Sequence, residues 1–369
     1  MWYLRPVPLA LTPRLLRRGL ELFALISLAG VVALLLWGDN LGAFVDAMLG
    51  LKPGWLLLGL LLASMDWIGG GLRLWIVTRS VHPGVRYGDM VLASGLGAWG
   101  AYLTPFQSGA SPMMVWAMRR AEVRLPEAMT AVFITFVATV AFFAITGPLA
   151  IFLGAGRSLE AHGLGLGITL YDLFRASLTL FGLIGAVMLF ALVFPRGVRN
   201  LIHAIALRLG RRNQGLGARM EQVTAGIDRA HECMVAFGSP RGLLVLASAV
   251  IASGPSHANK LLAGFVTLRA LGIEANFYDI LLLQTLITFL LYFAPTPGAS
   301  GLAEVLSGLV MQIYVERSLL ASYTVLWRFI NSYATVMVGS GIFWYWLRRG
   351  LVGREEPVTV LEDGAGSRP

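Results

Sequence analysis

Long apolar runs separated by short charged segments set the pattern of this chain. Apolar stretches at 20–37, 54–78, 128–153, 171–194, 241–268 and 319–347 each supply the roughly 20 helical residues that cross a hydrocarbon core of about 30 Å. Two further apolar segments, 88–118 and 278–313, are interrupted by Pro and Gly. Irregular backbone facing lipid leaves polar groups unsatisfied, so such breaks are tolerated only inside protein or along a wet cavity. Both segments are therefore expected to be re-entrant hairpins, each entering and leaving on one side. The pattern predicts an all-α integral membrane protein of about six spanning helices plus two re-entrant hairpins.

The two breaks carry the same short motif. Thr104-Pro105-Phe106-Gln107-Ser108-Gly109 lies in the first, and Thr296-Pro297-Gly298-Ala299-Ser300-Gly301 in the second. Asp89 and Tyr102 precede the first copy by the same mutual spacing as Asp279 and Tyr292 precede the second. This reads as a duplication, with repeat units at about 54–153 and 241–347. The span order makes the units inverted, since the first runs out to in before its hairpin and the second in to out. Paired broken helices in an inverted repeat point to a substrate site near the bilayer midplane, and to a transporter rather than an enzyme.

Composition agrees with the class. Hydrophobic residues make up 57% of the chain, charged residues 13%, and mean hydropathy is +0.72, which excludes a soluble domain. The net charge of +9 does not point to nucleic acid, because the basic residues follow the spans. The segments 1–19, 79–87, 119–127, 195–240 and 348–369 hold 20 or 21 of the 29 Lys and Arg, depending on whether Arg241 is counted. The opposite side holds Lys52, Arg157, Arg175, Arg269 and Arg317. The positive-inside rule then places both termini in the cytoplasm of a bacterial-type inner membrane. The first apolar run has no clean cleavage site after it and is expected to be a retained helix. The basic loop 195–240 is amphipathic, and is read either as a surface helix on anionic headgroups or as a docking site for a lipid-biosynthetic enzyme. The polar tail 348–369 is expected to be disordered. One cysteine excludes an intrachain disulfide, the five histidines lack metal-ligand spacing, and no phosphate-binding Gly-rich loop or nucleophile elbow is present. No metal or cofactor is expected.

The candidate chemistry follows from the breaks. Ser111-Pro112 reads as a helix start, with Ser at the N-cap and Pro at the first helical position. Helices are expected to restart at 112–120 and 302–313, aiming free N–H groups and a positive dipole end into the membrane interior. Ser108, Ser111 and Ser300 either cap those N–H groups or join them in holding an anion such as a lipid phosphate. A charge within a span is a functional candidate by default. Arg328 lies about ten residues into the last span, near the midplane, with Glu304 as its counter-ion; the two are either a structural ion pair or part of the site. Asn331, one turn on, is expected to face the same way. Arg73 is expected close enough to the cytoplasmic end to snorkel, with Asp66 deeper. Lys260 and His257 lie in a polar break and are read either as functional or as snorkelling, and Gly69-Gly70-Gly71 is read as close helix packing.

Leu103–Gly109, Pro295–Glu304 and Arg328 resemble the lysylphosphatidylglycerol synthase transmembrane-region (flippase-like) family over roughly residues 54–347. The second segment is similar to the family's Pro-Gly-Gly-x-Gly-x-x-Glu run, and Arg328 to its downstream membrane Arg. Three departures stand out. Gly109-Ala110 replaces a frequent Gly-Glu, 128–153 carries no charge, and Ala299 occupies the second Gly position. The resemblance implies movement of a polar or charged lipid, a phospholipid or polyisoprenoid lipid, between leaflets. Fused family members carry a soluble aminoacyl-transferase domain; none is expected here, and no synthesis with it. The expected function is lipid translocation, with Thr104, Pro105, Ser108, Gly109, Ser111, Thr296, Pro297, Ser300, Gly301, Glu304, Arg328, Asn331, Arg73 and Asp66 at the binding site. The rival readings are a lipid-modifying enzyme using Glu304 as acid/base and a non-transporting scaffold. Arg328→Ala is expected to remove transport with the fold mostly intact.

Overall fold

The computed structural model describes residues 12–38, 41–153 and 237–349, with isolated positions between 172 and 235. Among the described residues there is no strand. The chain begins with α1 (Pro13–Gly38), α2 (Leu41–Leu49), α3 (Pro53–Ala63) and α4 (Ile68–Val81). It continues through α5 (Tyr87–Tyr102), α6 (Ala110–Arg120) and α7 (Leu125–Phe152). After the largely undescribed stretch come α8 (Pro240–Ser256), α9 (Ala258–Ala270), α10 (Phe277–Tyr292), α11 (Leu302–Met311), α12 (Leu320–Arg328) and α13 (Ala334–Arg348). Most of the expected span 171–194 and of the basic loop 195–240, almost all of the tail and the first eleven residues lie outside the described residues.

Three stretches, Pro13–Trp37, Pro53–Val81 and Leu125–Leu149, are long and apolar enough to cross a membrane. They match three expected spans, although α1 starts at Pro13 rather than near 20. The other two described spans are not continuous α-helix. The segment 241–268 divides at His257, and 319–347 contains a π-helical stretch, Phe329–Tyr333. Each of these two stretches is thus broken near its middle. Pro53–Val81 has such a defect as well, the 3₁₀ turn Ser64–Asp66.

The duplication is visible in local contacts. Trp67 at the first defect and His257 at the second are separated by the same number of residues as Asp89 and Asp279, or Tyr102 and Tyr292. The same separation relates Arg79, stacked over Trp75 at 4.9 Å, to Arg269, stacked over Phe265 at 5.3 Å. It also relates the Trp75–Tyr87 edge contact to the Phe265–Phe277 edge contact. The two interrupted segments share a backbone path. Phe106 (φ 52, ψ 24) and Gly298 (φ 57, ψ 25) are both left-handed, as are Gln107 and Ala299 after them. A left-handed residue other than Gly costs roughly 1–2 kcal/mol, so Phe106 holds a strained path that Gly298 takes freely.

The first interrupted segment folds back on itself. A Cβ on Gly100 would meet Gly109 O at 2.7 Å, and one on Gly97 would meet Met114 and Ala110, so α5 and α6 run antiparallel in close contact. The tips of the two interrupted segments touch: Phe106 N donates to Ala294 O at 3.2 Å. The Gly69-Gly70-Gly71 run is a packing surface. A Cβ on Gly69 would lie 2.7 Å from Pro255 O, and one on Gly71 would lie 2.6 Å from Val91 Cα.

The outer surface is apolar, with Leu57, Ile251 and Met337 all more than half exposed; this suits a surface solvated by lipid. Charges gather at the ends. Lys52 N donates to Ala270 O at 3.0 Å and Arg317 stacks over Trp37 at 5.2 Å, so Lys52, Arg269 and Arg317 share one end. At the other, His82 meets Glu127 at 3.0 Å and Arg120 stacks over Trp346 at 4.5 Å.

This packing makes Gly71→Leu an overpacked variant, expected to cost about 1–3 kcal/mol and to unfold at lower temperature in detergent. Gly54→Leu, where nothing lies within 4 Å of the added Cβ, is expected to match wild type. Equal melting of both variants contradicts the α4–α5 contact.

Candidate functional site

Arg328, at the end of α12, is 2% exposed and Glu304 0%. Arg328 Nε lies 2.9 Å from Glu304 Oε1. Its Nη1 donates to Gly298 O at 3.1 Å, and its Nη2 reaches Ser27 Oγ and Ser300 Oγ at 3.3 and 3.5 Å. Phe23 and Tyr333 stack on the guanidinium at 5.5 and 5.4 Å. Glu304 Oε2 accepts from Gly301 N at 2.7 Å. Arg328 is thus neutralised within the protein, although its Nε makes no aligned hydrogen bond among the described residues, and Glu304 caps the start of α11 through Gly301 N. A buried pair of this kind destabilises strongly when one partner is removed. Arg328→Ala is therefore expected to damage the fold, and the sequence expectation of an intact fold is revised.

A second group of charges has a different balance. A partly open cavity of about 410 Å³ lies between α4, α5, α6, α7 and α9. Asp66, in the 3₁₀ turn before α4, anchors one wall. Lys260 Nζ donates to Asp66 Oδ1 at 2.8 Å. Tyr102 Oη lies 2.8 Å from Asp66 Oδ2 and 2.6 Å from Asn331 O, so its one proton is shared between two acceptors. Thr335 Oγ1 donates to the same carboxylate at 3.2 Å. The carboxylate is fully used.

Arg73 has no such partner. Among the described residues no carboxylate lies within ion-pair reach of it. Its Nη1 donates to Thr139 Oγ1 at 2.6 Å and approaches Ser253 Oγ at 3.3 Å; its buried Nε has no partner among the described residues. At 9% exposure it does not snorkel, contrary to the sequence expectation, because Thr139 of α7 and Ser253 of α8 hold it inward. His257 closes the wall opposite. Its Nδ1 lies 2.8 Å from Ser253 O, an acceptor, so Nδ1 carries the proton and Nε2 accepts from Tyr292 Oη at 3.0 Å.

The structure divides the expected site residues into three groups. Asp66, Arg73 and Ser111 line the cavity. Arg328 and Asn331 line a much smaller pocket of about 40 Å³, which shares Tyr102, Gln107, Lys260 and Tyr292 with the cavity. Thr104, Pro105, Ser108, Gly109, Thr296, Pro297, Ser300, Gly301 and Glu304 line neither and shape the turns. Thr104 Oγ1 accepts from Gly109 N at 2.7 Å, Thr296 Oγ1 donates to Ser300 O at 2.8 Å, and Ser300 Oγ donates to Pro297 O at 2.8 Å.

Ser111 is not an N-cap. α6 starts at Ala110 with Gly109 as its cap residue, since Thr104 already satisfies the Gly109 N–H. The first-turn residues Ala110 and Ser111 line the cavity, so this helix start does face it, bearing roughly half a positive charge. Sequence reasoning left Tyr102, Tyr292, Thr139 and Gln107 outside the site and held Lys260 and His257 open between a functional and a snorkelling reading. For the two tyrosines the signal was the repeated Asp-to-Tyr spacing, and for Lys260 its place in a polar break.

Residues 22–339 match the family described as the lysylphosphatidylglycerol synthase TM region. No curated protein matches the chain.

The two arginines make opposite stability predictions. Glu304→Gln strands a buried guanidinium and is expected to cost about 3–5 kcal/mol, read as a large fall in unfolding temperature in detergent. Arg73→Gln removes a buried charge that no carboxylate balances, and is expected to unfold at or above the wild-type temperature. A comparable loss in both variants contradicts the division of roles.

Proposed function

The chain belongs to the lysylphosphatidylglycerol synthase transmembrane-region family, membrane proteins of lipid metabolism or transport, and from that premise we propose that it moves a lipid with a polar or anionic headgroup between leaflets. One observation carries the reading: a buried guanidinium without a carboxylate, Arg73, faces a cavity large enough for a headgroup. Charge-assisted hydrogen bonds to a phosphate are strong and geometrically suited to a guanidinium. A phosphate bound there gains the Arg73 donors, Lys260 Nζ and the start of α6.

The tails need not enter. Phe106 and Phe136 line the cavity and are 62% and 51% exposed, giving an apolar lip past which acyl or isoprenoid chains stay in the bilayer. The shared chemistry of a phospholipid and a polyisoprenoid phosphate is the phosphate ester, and the cavity suits either. Translocation follows from the duplication. In the proposed inverted repeat, with both interrupted segments re-entrant, the cavity beside the first tip is about 410 Å³ and the Arg328 pocket beside the second only about 40 Å³. Exchanging these conditions by rocking one unit against the other passes a headgroup across the tips, with Lys260, common to both chambers, at the crossing. The charge distribution at the two ends supports cytoplasmic termini in an inner membrane.

The test is leaflet exchange of a fluorescent phosphatidylglycerol in proteoliposomes, read by dithionite quenching. Arg73→Gln is expected to slow exchange roughly 10- to 100-fold, the loss of about 1.5–3 kcal/mol for a hydrogen bond to a charged group, and Arg73→Lys to restore part of it. Wild-type exchange by Arg73→Gln overturns the role of the cavity. Recovery of a chemically altered lipid favours the enzyme reading instead.

A further inference from the structure

A second pocket, sharing no lining residue with the Arg73 cavity, lies between α3, α9 and the α12 end. It holds about 330 Å³ and is almost entirely apolar. Trp55 and Leu60 form one wall, Val266 and Thr267 a second, and Phe329 and Ile330 a third. The neighbouring α3 side chains Leu57 and Leu61 are 70% and 54% exposed, so the slot opens on the lipid-facing side.

Two observations say what fills it. The first is a hydroxyl. Thr78, Thr130, Thr139, Thr146 and Thr285 each donate to the carbonyl four residues back. Thr267 is 1% exposed, and its hydroxyl has no partner among the described residues, as is true of Thr135, Ser307, Ser322 and Thr324, but of these only Thr267 lines the slot. An unpaired buried hydroxyl costs roughly 1–3 kcal/mol, and a slot this apolar does not hold water. The second is charge. The Lys52 N to Ala270 O bond pins the start of α3 to the end of α9, bringing Lys52 and Arg269 to one end of the slot. Lys52 has no carboxylate partner among the described residues, and the only one near Arg269 there, Glu274, is 3.4 Å away with its side chain 91% exposed.

Cations stand at one end of the slot, and Trp55 and Thr267, each three residues along its helix from the Lys52–Ala270 bond, line the apolar slot beyond them. This is the order of phosphate, headgroup boundary, ester carbonyl and acyl chain in a phospholipid. We propose that the slot is a resident site for an anionic diacyl phospholipid, distinct from any transported one. Its phosphate lies on Lys52 and Arg269, an ester carbonyl accepts from Thr267, and one acyl chain fills the slot. Phe329 and Ile330 belong to the π-helical stretch that follows Arg328 and carries Asn331, so the occupant bears on that stretch. The proposal does not depend on transport.

Native mass spectrometry of the purified full chain, titrated with phosphatidylglycerol or phosphatidylcholine, tests it. Wild type is expected to retain phosphatidylglycerol roughly tenfold better, and Lys52→Gln with Arg269→Gln to erase the preference. Leu60→Trp is expected to abolish retention of both lipids. Thr267→Val is expected to weaken retention of ester-linked phosphatidylglycerol and leave its ether-linked analogue, which lacks the carbonyl, unchanged. Arg73→Gln is expected to change none of this. Retention that survives Leu60→Trp, ignores the double charge variant, or disappears in Arg73→Gln overturns the site. The charge and Thr267 variants alter an exposed and an isosteric position, so they decide the matter even if Leu60→Trp misfolds.

Discussion

The ion pair between Arg328 and Glu304 fixes the centre of the molecule. A guanidinium 2% exposed cannot reach water, so its charge must be balanced where it lies. The residues that meet it come from three parts of the chain: Ser27 and Phe23 on α1, Gly298 and Ser300 in the second turn, and Glu304 on α11. The approach is close enough that Gly30 of α1 has no room for a side chain, its added Cβ falling 3.1 Å from Glu304 Cβ. The pair therefore holds α1 against the second interrupted segment and fixes the turn at Gly298. Through Phe106 N and Ala294 O the first turn is set against it.

With that half neutralised, the remaining charges become selective. Asp66 is committed to Lys260, Tyr102 and Thr335, so it forms its ion pair with Lys260 and none with Arg73. The cavity keeps a net positive wall in a region of low dielectric, where a single charge acts strongly. An anion that enters replaces contacts with neutral hydroxyls, those of Thr139 and Ser253, by contacts with its own oxygens. The arrangement favours an anionic group. It also separates two functions that look alike in sequence: one membrane arginine builds the scaffold, and the other is left available.

Much of this was legible because it follows from costs that sequence exposes. Pro and Gly inside apolar runs marked both turns, the repeated Thr-Pro motif marked their kinship, and Arg328 needed an acid that Glu304 alone among its neighbours supplied. What was hidden depended on three-dimensional context. Arg73 seemed near enough to an end to snorkel, but hydroxyls on α7 and α8, distant in sequence, hold it inside. Ser111-Pro112 has the composition of a helix start, yet Thr104 reaches across the turn to Gly109 N and moves the start to Ala110. The motif serines and threonines satisfy their own turns, and the cavity walls come instead from Tyr102, Tyr292, Lys260 and His257. The π stretch at Phe329 leaves little trace in hydropathy, because it interrupts the hydrogen-bond ladder and not the apolar pattern, whereas the defect at His257 falls in the polar break at 253–260.

The central claim is that the cavity beside the first turn takes the headgroup of a membrane lipid. The most direct measurement is photo-crosslinking in proteoliposomes with a phospholipid carrying its photoreactive group on the headgroup, followed by peptide mapping. The account predicts adducts on cavity-lining residues such as Phe106, Phe136 and Thr139, suppressed by excess unlabelled phosphatidylglycerol. Adducts confined to the outer faces of the helices, with none in the cavity, contradict it.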